Sequence, residues 1–503
     1  MSELDLLPKD EHNQKTQEHV HPSDWTNPTP EGRYNLVVIG AGTAGLVTAA
    51  GAAGMGAKVA LIERKWMGGD CLNVGCVPSK AIIRSARAAQ AVRLAGDFGL
   101  NASEPEVDFP AVMERLRKLR SGIAHHDSAK RFQDLGVDVF LGQASFTEGN
   151  RVRVGDQKLE YVKAVIATGA RASAPPIPGL DDITYLTNET LFTLTEKPES
   201  LGVIGAGPIG CEMAQTFASL GVRVVQLERA DHVLSKEDPE AAQVVEPHLK
   251  EAGVALYTEA GDLSLKKTDD GIRMTFTQEG ENREETVEQL LVAVGRAPNL
   301  EGLNLDAVGV KTHDKGVEVD DRLRTSNPDI YACGDVCSNH QFTHAADFMA
   351  RIIIQNTLFM GRKKVSDLVI PWCTYTTPEV AHVGLSEKQA KADGVKIDTY
   401  TVQMQEVDRA ILDGETDGFV RIHTKKGSDN ILGATIVAAH AGDLINEIVL
   451  AMNEGIGLGS LANAIHPYPT QAEAVRKAGD LYNRTRLTPK VKSMFDTWLR
   501  WRR

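Results

Sequence analysis

The sequence predicts an α/β fold in which two parallel-sheet units with glycine-rich corners precede a C-terminal α+β domain. Three observations predict it. A strand, a Gly-x-Gly-x-x-Gly corner, a helix, a second strand and a glutamate follow one another twice, from Tyr34 to Glu63 and from Leu201 to Glu228. In both copies the glutamate stands 18 positions after the last glycine of the corner. From Pro371 onward the pattern changes to alternating strands and amphipathic helices, which marks a separate domain.

Bulk properties narrow the function. A chain of 503 residues holds roughly three domains. Hydrophobic residues make up 42%, enough for a large core and against global disorder. Lys and Arg number 55 against 68 Asp and Glu, a net charge of −13 that argues against nucleic acid as the main partner. No apolar run reaches the ~18 residues that would suggest a bilayer span. Residues 1–33 are polar, carry His12, His19 and His21, and have no basic-then-apolar signal pattern. They are expected to be a disordered tail of a cytoplasmic protein, able at most to bind a metal weakly; no metal site is assigned elsewhere. The six cysteines are Cys71, Cys76, Cys211, Cys333, Cys337 and Cys373, too few for a disulfide scaffold. In a reducing compartment a cysteine pair more often serves metal binding or catalysis.

Taken in order, Tyr34–Ile39 reads as a buried parallel strand running into Gly40, Gly42 and Gly45, then an Ala-rich helix and the strand Lys58–Ile62 ending at Glu63. Gly40 makes the tight turn, Gly42 lets backbone approach a pyrophosphate, and Gly45 lets helix pack on strand. The helix N-terminus offers N–H donors to phosphate, and Glu63 can accept hydrogen bonds from a ribose. The second copy has Leu201–Ile204, then Gly205, Gly207 and Gly210, then Val222–Leu227 and Glu228. Two such sites suggest two dinucleotides, such as FAD and NAD(P)H. Ala164–Gly169, with Thr168 and Gly169 in its turn, and Leu290–Asn299, with Gly295, are further strand-and-turn pieces.

The segment from Gly68 to Lys80 (Gly-Gly-Asp-Cys-Leu-Asn-Val-Gly-Cys-Val-Pro-Ser-Lys) carries the chemistry. In a regular helix, residues five apart have Cα atoms ~8.7 Å apart, given a rise of ~1.5 Å and a radius of ~2.3 Å. A disulfide needs roughly 4.4–6.8 Å. If Cys71 and Cys76 are bonded, the helix start must be distorted, and Gly75 and Pro78 allow that. A zinc pair would lack a second Cys/His pair nearby. Buried structural cysteines would not need flanking Gly and Lys, and a structural disulfide is disfavoured in the cytoplasm. The pair therefore reads as redox-active.

This motif, both fingerprints, Ala167–Gly169, Gly295–Asn299 and Tyr331–Asp335 together resemble the pyridine nucleotide–disulfide oxidoreductases, over about residues 34–484. The resemblance implies two Rossmann-like FAD- and NAD(P)-binding domains plus a C-terminal α+β dimerisation domain. Residues 34–182 and 301–368 would form the FAD-binding domain, 183–300 the NAD(P)-binding domain and 369–484 the dimerisation domain, with a basic amphipathic tail at 485–503. It implies that the first fingerprint binds FAD with Glu63 on the adenosine ribose, and that Asp335 holds the ribitol. Thr343 would start a helix aimed at the flavin, where a positive dipole end favours the reduced, anionic form. Lys80 would lie near the flavin paired with Glu212. Hydride would pass from NAD(P)H through the flavin to the disulfide, with Cys76 proximal and Cys71 the interchange thiol facing substrate. Glu228 favours NADH, since an acid there bonds a 2′-hydroxyl and repels a 2′-phosphate, although Arg223 and Arg229 stand nearby. Pro208 occupies the place where some relatives carry a Tyr lid.

The chain departs from the family near its C-terminus. The disulfide reductases use a His-Pro-Thr-x-x-Glu run, supplied by the partner subunit of a homodimer. Here the run is His466-Pro-Tyr-Pro-Thr-Gln-Ala-Glu473, which puts Tyr468 where the catalytic His belongs. A phenol, at pKa ~10 against ~6.5 for imidazole, is a poor proton shuttle at neutral pH. His466 lies two residues earlier, and a residue before proline is extended, so its direction is open. Mercuric reductases also have Tyr at this place, and Val77–Arg84 looks similar to theirs. They also use a C-terminal Cys pair, and many an N-terminal metal-binding domain, yet the cysteines here run only from Cys71 to Cys373. The expectation is a mercuric reductase-like enzyme acting on a small-molecule or thiol-bound metal acceptor. Dihydrolipoamide dehydrogenase or another small-disulfide reductase is the alternative, and a nucleotide-binding flavoprotein scaffold without turnover the alternative outside enzymes. In the tail, Val491, Phe495 and Trp498 share one helical face beside Arg500, Arg502 and Arg503. Such a helix suits a membrane surface; packing on the dimer with a solvated basic end is the plainer expectation.

Overall fold

The computed structural model describes residues 4–503. Helix α1 (Glu11–Val20) precedes β1 (Arg33–Ile39), α2 (Thr43–Gly54), β2 (Val59–Glu63), α3 (Gly69–Asn73), α4 (Cys76–Arg93) and α5 (Phe109–Ile123). Strands β3 (Val137–Leu141), β4 (Ala144–Thr147), β5 (Arg151–Val154) and β6 (Gln157–Ile166) complete the first run. Leu36, Val37, Val38 and Ile39 are all buried, the mark of a central parallel strand covered on both faces. Its sheet runs β3-β2-β1-β6-β5-β4, with β1 parallel to β2 and β6.

The second unit repeats the plan with β7 (Ser200–Ile204), α6 (Pro208–Ser219), β8 (Arg223–Leu227), β9 (Val254–Tyr257) and β10 (Gln289–Val292), in the order β9-β8-β7-β10. A three-stranded antiparallel sheet over residues 261–287 is inserted in it. The chain then returns: β11 (Ile330–Ala332) pairs with β6 of the first sheet, and α7 (Thr343–Leu358) follows. The last domain is a five-stranded antiparallel sheet of β12 (Pro371–Thr374), β13 (Glu379–Gly384), β14 (Ile397–Gln403), β15 (Phe419–Lys425) and β16 (Ile431–Ala438), in the order β12-β13-β16-β15-β14. Helices α8 (Ala441–Asn453), α9 (Glu473–Thr485) and α10 (Pro489–Trp501) end the chain. Among the described residues no helix is long and apolar enough to cross a membrane.

The N-terminal segment corrects an expectation. Residues 4–32 form a strap rather than a disordered tail. Asp10 caps α1 by accepting from the amide of Asn13 at 2.8 Å. Val20 is fully buried, and its carbonyl accepts from Met67 N at 3.0 Å. Asn27 donates to Leu141 O and accepts from Leu141 N, at 3.0 and 2.8 Å, which satisfies the outer edge of β3. His21 contacts the Lys65 carbonyl and His19 packs edge-on against His125, so these histidines are drawn into packing rather than into a metal cluster. Low hydrophobicity hid the strap, because a few apolar side chains, Leu6 and Val20 among them, pack into the core while polar side chains fasten the rest.

One of those fastenings reaches the redox segment. Arg120 of α5 is 3% exposed, and its guanidinium donates to Asn73 O at 2.6 Å and to Asn13 Oδ1 at 2.5 Å. Burial, with Arg117 beside it, lowers the Arg120 pKa to about 10. The Asn13→Ala variant should lose about 1–3 kcal/mol of stability, because a buried cation loses an acceptor. A drop in urea midpoint at constant slope checks this; an unchanged midpoint contradicts it.

Candidate active site

The glycines of the two corners divide by what they pack against. A Cβ on Gly40 would sit 2.3 Å from Ala167 O, and one on Gly45 1.8 Å from Gly40 O. Gly205 and Gly210 repeat this, at 2.7 Å from Ala293 O and 2.1 Å from Gly205 O. These four are required by the protein's own packing. Gly42 would meet nothing nearer than the Gly69 Cα at 3.8 Å, and Gly207 nothing within 4 Å. Each is the N-cap of its helix, α2 or α6, with no side-chain cap. The open glycine in front of an uncapped helix N-terminus fits a dinucleotide pyrophosphate.

Both corner glutamates are tied to their own loops. Glu63 accepts from the amides of Ala41 and Lys65 at 2.7 and 2.8 Å, and Glu228 from those of Ala206 and Ala230 at 2.6 and 2.8 Å. Burial pushes the Glu63 carboxyl up, against the pull of those amides. A cleft opens beside Gly40, Glu63, Gly142, Gln143 and Thr168. Thr168 Oγ1 donates to Asn299 O at 2.7 Å and the Asn299 amide to Gly169 O at 3.0 Å, so the turn at Gly169 is laced to the strand leaving Gly295. That strand carries Arg296, which pairs with Asp70 at 2.5 Å and with Asp335 at 3.4 Å. Burial raises the Asp335 carboxyl despite that partner. These residues fit FAD.

The cysteine segment is broken as the spacing requires. Cys71 lies in α3 and Cys76 begins α4, with Gly75 between them at φ −135° and ψ −113°. A Cβ on Gly75 would meet Asp70 O at 2.8 Å, so glycine is required there. Both sulfurs are free thiols, hydrogen-bonded to one another. Cys71 is half-buried. Cys76 faces the start of α7, with Thr343 Oγ1 3.4 Å from its sulfur. The hydrogen bond from Cys71 draws the Cys76 pKa down to about 6, against burial, with help from Thr343 and Lys80. The Cys71 thiol is pushed up by the same pairing and by burial. The pairing therefore favours the thiolate on Cys76 over Cys71.

Lys80 Nζ lies 2.8 Å from Glu212 Oε2, joining the cysteine helix to α6. The other oxygen of the nearly buried Glu212 accepts from Tyr375 N at 2.9 Å, and Lys80 sits 4.5 Å over the Tyr375 ring. Sequence reading missed Tyr375, Asp70 and Arg296. Their partners lie far away in the chain, and only the lone acid inside the Gly-Gly-Asp-Cys run hinted at a role.

The C-terminal residues stand apart from these cysteines. His466 Nε2 lies 3.1 Å from both oxygens of Glu447 on α8. Tyr468 is 73% exposed and donates to Asp408 at 2.9 Å, and that carboxylate raises its pKa. Glu473, at the start of α9, pairs with Arg476 at 2.7 Å. Ile465, Leu412 and Leu450 are exposed on the same domain, an apolar surface of the kind that marks an interface.

Comparison with known proteins gives consistent matches. Residues 34–350 match the pyridine nucleotide-disulphide oxidoreductase family, and residues 370–479 its dimerisation domain, which supports a homodimer. The mercuric reductase of Bacillus cereus is 35% identical over 88% of this chain and 71% of its own. A dihydrolipoyl dehydrogenase of Bacillus subtilis is 34% identical over 89% of this chain and 96% of its own. The Cu(II) complex of the HOCl-induced flavoprotein disulfide reductase RclA from Escherichia coli superposes with a TM-score of 0.79 at 28% identity. It covers 90% of this chain and all of that one.

In reduced enzyme, alkylation of Cys76 by iodoacetamide, located by peptide mass, should rise with pH through a midpoint near about 6. Lys80→Met and Thr343→Val should each move that midpoint upward, since each removes a group that favours the thiolate. A midpoint unmoved in both variants contradicts the assignment.

Proposed function

We propose, from the premise that this chain belongs to the pyridine nucleotide-disulphide oxidoreductases and is an FAD-dependent NAD(P)H oxidoreductase with a redox-active cysteine pair, that it reduces a thiol-reactive acceptor in a mercuric reductase-like reaction. A Hg(II)–thiol adduct is the model acceptor. The reading rests on Tyr468. The position that serves the disulfide reductases as proton shuttle carries a phenol, and Asp408 holds that phenol further from ionisation. His466 is held by Glu447 on its own chain, 3.1 Å away.

FAD, when bound, carries reducing equivalents from the nicotinamide to the cysteine pair. The chain's own residues do the rest. Cys76 is kept as thiolate by Cys71, Thr343 and Lys80. Glu212 holds Lys80 in place, 2.8 Å away. Cys71 exchanges with the acceptor, and the dithiol offers soft sulfur ligands, which a metal ion needs more than a proton shuttle. The reading includes a cytoplasmic homodimer in which the Tyr468 loop of one copy completes the site of the other. The similarity to RclA, a protein solved with Cu(II), supports a metal acceptor. Dihydrolipoamide dehydrogenase is the second reading, favoured by 34% identity to the Bacillus subtilis enzyme.

NADH is the proposed donor. Glu228 carries its carboxylate at the end of β8 beside the open Gly207 corner, while Arg223 is engaged by Glu285 at 3.2 Å. Glu228→Ala should narrow the NADH-over-NADPH ratio of kcat/KM by about tenfold or more, the equivalent of one hydrogen bond to a charged group; an unchanged ratio removes Glu228 from the selection.

A substrate panel decides the acceptor: Hg(II) with excess thiol, lipoamide, glutathione disulfide and quinones, each with NADH and NADPH. Hg(II)–thiol turnover is expected, abolished by Cys71→Ala. His466→Ala should cost less than about tenfold, against the ~10²–10⁴ that a positioned acid–base group contributes. Fast lipoamide turnover that His466→Ala abolishes replaces this reading with the dehydrogenase. Activity that survives Cys71→Ala removes the cysteine relay altogether.

A further inference from the structure

The last helix lies beyond the residues matched by the dimerisation domain, which end at 479. It is specified as a helix in its own right. Thr488 caps it, accepting from Val491 N at 3.3 Å, and Pro489 occupies its first turn. Along α10 the apolar side chains Val491, Met494, Phe495, Trp498 and Trp501 recur at helical spacing and define one continuous stripe, with Leu499 at its edge. Lys490, Ser493, Asp496, Thr497 and Arg500 take the opposite face. None of the helix is buried: Met494 is 60% exposed, Trp498 52% and Trp501 77%. The preceding helix α9, by contrast, buries Ala474, Val475, Ala478 and Gly479 against its own domain. The apolar stripe of α10 thus has no partner in its own chain.

Charge indicates what covers it. The protein carries a net charge of −13, yet Pro489–Arg503 holds Lys490, Lys492, Arg500, Arg502 and Arg503 against the single acid Asp496. This excess of five bases over one acid around an aromatic stripe sets the segment apart from the rest of an acidic chain. It matches the surface of an anionic bilayer, where aromatic rings sit at headgroup level and cations meet lipid phosphates. The two tryptophans lie together at the end of the stripe, centroids 5.4 Å apart, with the Arg502 guanidinium 6.0 Å over Trp498. At 13 residues α10 is ~20 Å long, too short to span and suited to lying flat.

We infer that α10 is a peripheral membrane anchor, which seats this oxidoreductase on anionic lipid through the Phe495–Trp498–Trp501 stripe and the basic residues beside it, Lys492, Arg502 and Arg503. The inference is independent of which acceptor the cysteines serve. The test is flotation of full-length, FAD-loaded enzyme with vesicles of mixed phosphatidylglycerol and phosphatidylcholine, and with vesicles of phosphatidylcholine alone. Wild type should float with the anionic vesicles and be released by salt. Phe495→Glu with Trp498→Glu, and separately Lys492→Glu with Arg502→Glu and Arg503→Glu, should each weaken binding by roughly tenfold or more, while NADH-dependent turnover in solution stays at the wild-type level. Two results overturn the inference. One is wild-type protein that stays unbound with anionic vesicles. The other is a Phe495/Trp498 variant that sediments as a monomer, which assigns the stripe to a second copy of the chain.

Discussion

The turn at Gly75 is the constraint on which the chemistry depends. Two cysteines five residues apart cannot meet along a regular helix. The chain meets this by ending α3 and beginning α4 between them, with Gly75 packed so closely on the Asp70 carbonyl that a side chain has no room. The surroundings hold the turn in place. Three distant parts of the chain do so. Arg120, oriented by the N-terminal strap, takes the carbonyl of Asn73. Arg296, at the exit of the second unit, takes the carboxylate of Asp70. Thr343, at the start of the returning helix, takes Cys76.

The same contacts decide which sulfur holds the charge. Cys76 stands at the start of two helices, its own and the one it faces, and has Lys80 one turn further on. Cys71 has Asp127 and burial against it. Charge therefore settles on the sulfur nearer α7. Lys80 is half-exposed but not free, since Glu212 and the Tyr375 ring fix its position. Glu212 is itself oriented by a backbone amide of the C-terminal domain, so all three domains contribute to one electrostatic site.

The C-terminal domain is where this chain departs from a disulfide reductase. Tyr468 and His466 both have partners of their own, Asp408 and Glu447, and neither meets the cysteines of the same chain. The exposed apolar residues around them await a second copy, in keeping with the dimerisation domain.

The recurrence of two glycine corners and two glutamates in register determined, from sequence alone, the two parallel units and their dinucleotide corners, because close backbone approach admits only glycine and leaves a legible mark. Cys71, Cys76 and the break between them were legible for the same reason: local geometry forces local residues. The substitution of Tyr468 was also visible, though not where its hydroxyl points. Tertiary structure alone decided the rest. The strap over residues 4–32 is held by isolated buried side chains such as Leu6 and Val20 and by single hydrogen bonds from polar side chains, which leave no periodic signature. The Asp70–Arg296–Asp335 network joins residues far apart in sequence, and no local pattern encodes such a pairing. The direction of His466 depended on Glu447, a residue on another helix. Motifs record what the backbone must do nearby, whereas charge pairing and the anchoring of polar segments are set by which distant surfaces folding brings together.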